Sequence, residues 1–467
     1  MRYEKDFLGE AAMPEDFPFG IHTFRAMENF SFSRDRIRED LFRALVQVKK
    51  AAAIANMKAG LLEESIAGKI IDSCDVIAEN ITAYVPDLHP FQGGAGTSTN
   101  MAANELIANI ALKRMGKPFG TYEIISPLNH VNLSQSTNDT YPTAVRIAII
   151  RSLRKLHSSV EGLLDVLLEK EKEFAHILKI GRTELQDAMP MSLGQAFSAW
   201  AEAVGRFRWR LDKAVDWVRD VNISGTAIGT SINADREYSR YVIEALREIV
   251  QEPVSLARNL IDGTQNIDQI VEVSGLIRTG AVSIKKMSLD IRLLSSGPKC
   301  GLGELSLPQM QAGSSMMPGK VNPVMFEAAE QVCLSVMGGD AIIAAAAAES
   351  NFELPQFLPL ISHVILTNNE MFTCLLNYLS KHLKKIKPNK RKLEENVNSS
   401  AAVATLLTPT LGYETAAELV KEAERENRDI IGLIREKNLI DPRILEKLVS
   451  PQVMASPGLP LLENNDE

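Results

Sequence analysis

The chain has 467 residues, of which 45% are apolar and 24% charged, and its net charge at neutral pH is −8. That length and composition describe a soluble chain of several domains with ample core, and an acidic balance without a basic face excludes a nucleic-acid binder. Four widely spaced cysteines (Cys74, Cys300, Cys333, Cys374) exclude a disulfide framework or a Cys-x-x-Cys zinc site, and the seven histidines form no metal-ligand pattern.

Residues 1–33 read as irregular, and the first six (Met-Arg-Tyr-Glu-Lys-Asp) lack an apolar signal core. Helical stretches are expected at 35–59 and 65–81. A glycine-rich turn, Gln92-Gly-Gly-Ala-Gly-Thr-Ser-Thr-Asn100, then runs into a helix at 101–114. The polar run from His130 to Thr140 precedes a helix that should begin near Pro142, because proline suits a first helical turn. Asn129-His130 reads as a cap of that kind. Beyond it the chain turns to long helices. Leu153, Leu156, Val160, Leu163 and Leu167 recur at three- and four-residue steps. Leu193, Phe197, Trp200, Val204, Phe207, Leu211, Ala214 and Val218 keep a stricter 4-3 alternation, the mark of a bundle seam.

Gly181-Arg-Thr-Glu-Leu-Gln-Asp187 is a polar island inside sequence that otherwise reads as helical. Further helices are expected at 267–295, 324–348 and 358–384, and the absence of two-residue alternation argues against a sheet of any size. The fold class is therefore all-α, with a central bundle of about five long helices. The small residues of Ala344–Ala348 suit a helix packed on several sides. The apolar run Ala341–Ala348, between Asp340 and Glu349, is too short to span a bilayer, so a cytoplasmic protein is expected. Lys384–Lys392 reads as a solvated basic linker, and the C-terminal Asn464–Glu467 is expected to fray.

The densest chemistry lies in Gly313-Ser-Ser-Met-Met-Pro-Gly-Lys-Val-Asn-Pro323, which Pro318, Gly319 and Pro323 force into a loop. Thr97, Ser98 and Thr99 stand at a helix start, where N–H groups and the dipole favour anions. Ser136-Thr137-Asn138 repeats that chemistry. Taken singly, each of these is equally a helix cap. Four polar islands separated by long helices are better explained by helix ends converging on a small dicarboxylate.

The loop 313–323 is similar to the signature of the aspartase/fumarase superfamily, and the likeness extends over nearly the whole chain. Residues 93–100, 134–139, 181–188, 225–230 and 407–413, with Asn104-Glu105, resemble family motifs in order. Gly93-Gly-Ala-Gly-Thr-Ser98 most resembles the form found in aspartate ammonia-lyases, since fumarases usually carry Gly-Ser-Gly-Thr-Gln-Ser. The resemblance implies three helical domains (1–139, 140–393, 394–467) and a homotetramer with a twenty-helix core. It also implies active sites each shared by three subunits. The implied reaction is reversible anti-elimination of ammonia from L-aspartate, through an aci-carboxylate, to give fumarate.

By the same likeness Ser314 is the general base, and Ser315, Thr97, Ser98, Ser136 and Thr137 surround the carboxylate where charge develops. Lys320 and Asn322 would hold the other carboxylate, while Asn138 and Thr183 would face the amino group. No metal site and no cofactor are expected, and activation by a divalent cation stays open. One departure concerns the residue after Thr183, which is His or Gln in relatives and Glu184 here. Glu327 matches the acid that partners that histidine where it occurs. Were the two carboxylates close, one would be held protonated; alternatively Glu184 contacts the substrate ammonium. A second departure is Pro355, after Asn351-Phe-Glu-Leu354, where relatives usually have Asn. Three other readings remain: fumarate hydratase, which Asn351–Leu354 favours and Gly93–Ser98 does not; an ammonia-lyase for a related amino acid; and a non-catalytic protein on this fold.

Overall fold

A computed structural model describes residues 1–313, 315–426 and 428–455. Ser314 and the C-terminal Asn464–Glu467 therefore lie outside the described residues. The chain divides into two compact units. One comprises Met1–His157, Trp209–Thr279 and Leu334–Phe372, and the other Ser158–Arg208, Gly280–Cys333 and Thr373–Glu467.

The first unit opens with a hairpin of β1 (Arg2–Asp6) and β2 (Gly9–Met13), followed by α1 (Ile21–Asn29), where sequence reasoning expected irregular chain. Charged side chains hold this region, so no apolar alternation announced it. Arg2 Nε donates to Glu4 Oε1 at 2.9 Å, and Glu4 Oε2 accepts from Ile21 N at 2.9 Å. The buried Glu105 accepts from Gly20 N, His22 N, Thr23 N and Thr23 Oγ1, at 2.6 to 3.1 Å, and so satisfies the orphan amides at the start of α1.

The helices α2 (Glu39–Lys58), α3 (Glu64–Glu79), α4 (Ile81–Tyr84) and α5 (Thr97–Arg114) follow. Every residue of α5 from Thr99 to Leu112 is buried, which explains why it shows no single apolar stripe. Then come α6 (Thr137–Glu173), α7 (Leu193–Val218), α8 (Arg236–Val250), α9 (Leu260–Gln265), α10 (Asp268–Leu294), α11 (Val324–Ala348) and α12 (Leu358–Leu383). Five of these run to 25 residues or more, as the periodicity predicts. All eight α7 seam residues are buried.

The helix expected near Pro142 begins at Thr137, with the proline inside it. Proline cannot donate to the carbonyl four residues back. That carbonyl, Asn138 O, instead accepts from Asn222 Nδ2 at 2.8 Å, so the interior proline leaves no orphan acceptor.

The island 181–187 is not helical but belongs to a β-hairpin of β3 (Leu178–Thr183) and β4 (Gln186–Ser192). Its two turn residues, Glu184 (φ 53°) and Leu185 (φ 66°), adopt the left-handed conformations that usually call for Asn-Gly. The turn was therefore not legible from residue type. Gly181 sits at a register shift where a Cβ would come within 2.9 Å of Met189 O.

By length and composition α11 as a whole is apolar enough to cross a membrane, which the shorter run Ala341–Ala348 did not suggest, and most of it is not buried within the chain. The chain past residue 390 forms short helices around Leu407, Leu419, Leu433, Ile434 and Leu445.

Candidate active site

In the first unit the glycine turn and the Ser136 segment meet around α5. Gly94 (φ 73°), Ala95 (φ 52°) and Gly96 (φ 97°) reverse the chain just before Thr97. A Cβ on Gly96 would lie 2.6 Å from the Tyr141 ring, so glycine is needed there for space as well as for φ. Gly96 offers α5 no side-chain cap; Gln92 Oε1 serves instead, accepting from Thr99 N at 3.0 Å and Thr99 Oγ1 at 2.9 Å. Thr97 is exposed and Ser98 half-buried at the positive end of this helix. The Thr97 hydroxyl donates to Gly94 O at 2.6 Å.

Ser136 forms a capping box with Asp139. Its Oγ accepts from Asn138 N at 3.2 Å, and its own N–H donates to Asp139 Oδ1 at 3.0 Å. Thr137 Oγ1 accepts from Asn100 Nδ2 at 3.0 Å. With an acceptor position filled on each oxygen, the Ser136 and Thr137 O–H groups are disposed to donate outward. Asn138 Nδ2 donates to Ala227 O at 2.7 Å, which leaves the amide oxygen of Asn138 as an acceptor. This three-residue segment can thus donate to an anion and accept from an ammonium.

A buried polar network lies behind it, built on Lys49, which sequence reasoning missed. Lys49 is fully buried and donates to Asn132 Oδ1 and Gln135 Oε1, each at 2.9 Å. Asn104 Nδ2 (3.1 Å) and Asn100 Nδ2 (3.3 Å) reach the same Asn132 oxygen. Asp139 is equally buried and also accepts from Thr226 N at 2.9 Å. Burial pushes the Lys49 ammonium down to about 7 and the Asp139 carboxyl up to about 7. The available signal was Asn100 and Asn104, one helical turn apart in an otherwise apolar helix, and the pair Lys49-Lys50 ahead of the run Ala51-Ala52-Ala53. Asn129 and His130 are not caps but lie within a short helical turn, Pro127–Val131, that Ser126 caps: Ser126 Oγ accepts from Asn129 N at 3.1 Å, and His130 Nδ1 accepts from Ser126 N at 3.0 Å.

Thr183, Glu184, Ser315, Lys320, Asn322 and Glu327 belong to the second unit. Thr183 is the last residue of β3, paired with Gln186 across the turn that carries Glu184. Within 313–323, Gly313 N donates to Lys320 O at 3.1 Å and Asn322 Nδ2 donates to Gly313 O at 2.7 Å. A Cβ on Gly313 would fall 2.1 Å from Lys320 O, so only glycine lets the two ends of the loop approach this closely. Ser315 and Lys320 are exposed, and among the described residues no carboxylate pairs with Lys320. Glu327 has Arg292 Nη2 at 3.8 Å. Asn351 and Leu354 form an isolated bridge, with Phe352 between them at φ 52°. No group of three or more metal-ligating side chains occurs among the described residues.

Residues 9–338 match the model of a family described as lyase, and residues 403–456 match the fumarase C C-terminus. The chain belongs to this lyase family. An aspartate ammonia-lyase of Helicobacter pylori (strain ATCC 700392 / 26695) is 41% identical to it over 462 residues, 98% of each chain. A fumarate lyase:delta crystallin from Brucella melitensis, solved bound to cobalt, superposes with a TM-score of 0.94 at 41% identity, covering 98% of this chain and all of that one. A class II fumarase from Schistosoma mansoni gives a TM-score of 0.91 at 30% identity, over 98% and 99% of the two chains. A fumarate lyase and a class II fumarase thus share one helical framework with this chain over 98% of its length.

Proposed function

We propose that this lyase catalyses the reversible anti-elimination of ammonia from L-aspartate to give fumarate. The observation that carries the reading is the Ser136–Asn138 segment, where two hydroxyl donors adjoin an amide acceptor. That polarity suits a carboxylate beside an ammonium, and hydration of fumarate offers no ammonium to accept. The likeness to an aspartate ammonia-lyase at 41% identity, against 30% for the class II fumarase, supports the same choice.

In the proposed mechanism Ser314 removes the proton from the carbon next to a carboxylate. A serine alkoxide must be favoured by several pKa units, each worth about 1.4 kcal/mol, which backbone N–H groups and closure against water would supply. Ser315, Thr97, Ser98, Ser136 and Thr137 hold the carboxylate that becomes the aci-carboxylate, with Ser136 and Thr137 presenting free O–H groups. Lys320 and Asn322 hold the other carboxylate. Asn138 and Thr183 face the amino group, and Glu184 favours an amine over a hydroxyl. Glu327 supports the loop through Arg292.

The reaction needs no organic cofactor; assays with and without a chelator decide whether a divalent cation activates it. We place the enzyme in the cytoplasm, where its four thiols remain free. It works as a homotetramer whose sites draw on three subunits, divided functionally into 1–139, 140–393 and 394–467. The uncovered apolar positions of α11, Leu334 and Ile342 at 53% and 47% exposure, support such self-association.

The test follows fumarate by ultraviolet absorbance with L-aspartate and, separately, with L-malate. Formation from aspartate is expected. Turnover of malate alone would make the enzyme a hydratase. Turnover of neither would point to a related amino acid or to a non-catalytic protein on this fold.

A further inference from the structure

We infer that Glu304, through Arg182, is a positioning residue for the Thr183–Glu184 turn, and hence for recognition of the substrate amino group. The inference rests on the reading above that this turn faces that group.

Glu304 has no exposed surface. Its Oε1 accepts from Arg182 Nη2 at 2.6 Å and from Asn396 Nδ2 at 2.9 Å, while its Oε2 is buried without a hydrogen-bond partner. The backbone at this residue is pinned from two sides: Glu304 N donates to Leu294 O at 2.8 Å, at the end of α10, and Glu304 O accepts from Asn389 N at 2.9 Å. Asn389 Nδ2 also donates to Gly303 O at 2.9 Å. The carboxylate thus projects from a fixed frame to the guanidinium of the residue that immediately precedes Thr183.

A second cation, Lys179 of β3, is buried as well. Its Nζ donates to Ile180 O at 2.6 Å, and desolvation lowers its pKa while the Glu304 charge opposes that shift. Asp187, four residues after Thr183, lies 3.8 Å from Arg182 Nε and accepts from Ser400 Oγ at 2.9 Å.

A buried ion pair is poor evidence of stabilisation, since an apolar pair of similar volume generally serves as well or better. The half-satisfied Glu304 carboxylate sharpens that point, because it carries a desolvation cost that simple packing would avoid. What the pair does supply is direction. Arg182 is held by a charged hydrogen bond at the base of a two-residue turn whose residues, Glu184 and Leu185, sit in conformations that residue type alone does not favour. Strand pairing of Thr183 with Gln186 closes the turn, but Glu184 and Leu185 offer no glycine or asparagine to favour its geometry, and the Glu304 charge behind Arg182 adds what residue type does not. The same residue begins the stretch that leads to Gly313, so one side chain sets the hairpin against the segment that enters the loop.

Glu304→Gln tests this, since it keeps the shape and the Asn396 bond but removes the charge. Expected are an unchanged helical signal and oligomeric size, a KM for L-aspartate raised at least about tenfold, and an unchanged inhibition constant for succinate, a dicarboxylate without the amine. Glu304→Gln combined with Arg182→Gln should be no worse than the poorer single variant, because the two side chains act as one unit. Amide exchange across residues 182–188 should quicken in Glu304→Gln. Equal losses for aspartate and succinate, additive effects or unaltered exchange would overturn the inference. If Glu304→Gln does not fold, Arg182→Lys, which keeps the charge but loses the fork, takes its place with the same expectations. A native protein inactive on aspartate would defeat the functional reading, and the exchange measurement would then still decide the role of Glu304.

Discussion

The Ser136–Asn138 segment and the 313–323 loop carry similar side chains but are built in opposite ways. Around Ser136 each hydroxyl and amide is fixed by a partner, and the support runs inward through Asn100, Asn132 and Gln135 to the buried Lys49. In the loop, residues 315–321 are exposed, and Met316 reaches 86% exposure. Two bonds between described residues, Gly313 N to Lys320 O and Asn322 Nδ2 to Gly313 O, join its ends. The first region is preorganised and holds charge where it lies. The second sits at the low-stability end of the chain, from which elements that close over substrates are drawn.

Substitutions can break this comparison. The largest effect is expected from Ser314→Ala, which should lower kcat by about 10³-fold or more, since it removes the proposed base from the loop, while thermal stability stays the same. Retained turnover in a stopped or continuous fumarate assay would remove the serine from its role. Gly96→Ala should act on the rigid side. The new Cβ meets the Tyr141 ring at 2.6 Å on a backbone at φ 97°, so unfolding stability should fall by roughly 3 kcal/mol, read by denaturant titration. Gly313→Ala introduces an even closer clash, 2.1 Å from Lys320 O, yet in an exposed loop. It should cost under about 1 kcal/mol of stability but roughly 100-fold in kcat/KM. If the two glycine variants showed the same balance of stability and activity loss, the contrast between the regions would fail.

The smallest effect concerns pH. Burial raises the Asp139 carboxyl from 3.8 to about 7, so the folded state holds this proton where the unfolded state has released it. Its contribution to stability is full below the unfolded value and is lost as pH rises through about 7. The stability advantage of the native protein over Asp139→Asn should therefore shrink between pH 4 and 7 in urea midpoints taken across that range. An advantage that grows with pH would show that the carboxylate is charge-stabilised in the fold.

The long helices were legible because each hides one stripe, and a seam such as Leu193–Val218 repeats it often enough to count. The two hairpins were not. One is held by Arg2 and Glu4, and the other turns on Glu184-Leu185 without a glycine or an asparagine. The candidate site divides in the same way. Hydroxyls and amides next to glycines and helix starts pointed to Thr97, Ser136, Thr137, Asn138 and Lys320. Lys49, Asp139 and Glu304 look like ordinary charged residues in the sequence, and only their burial separates them from the surface.

By itself, then, the sequence determined the class of helices, the bounds of four of the five longest to within a residue, and which polar segments are candidates for the chemistry. These follow from local period and residue type, which act over a few turns. Only the tertiary structure decided which charges are taken out of water, which carbonyl replaces the bond that Pro142 cannot make, and what holds a strained turn in place. Those depend on partners 84 residues apart for Asn222 and Asn138, or 122 for Arg182 and Glu304, and no local pattern encodes such distances.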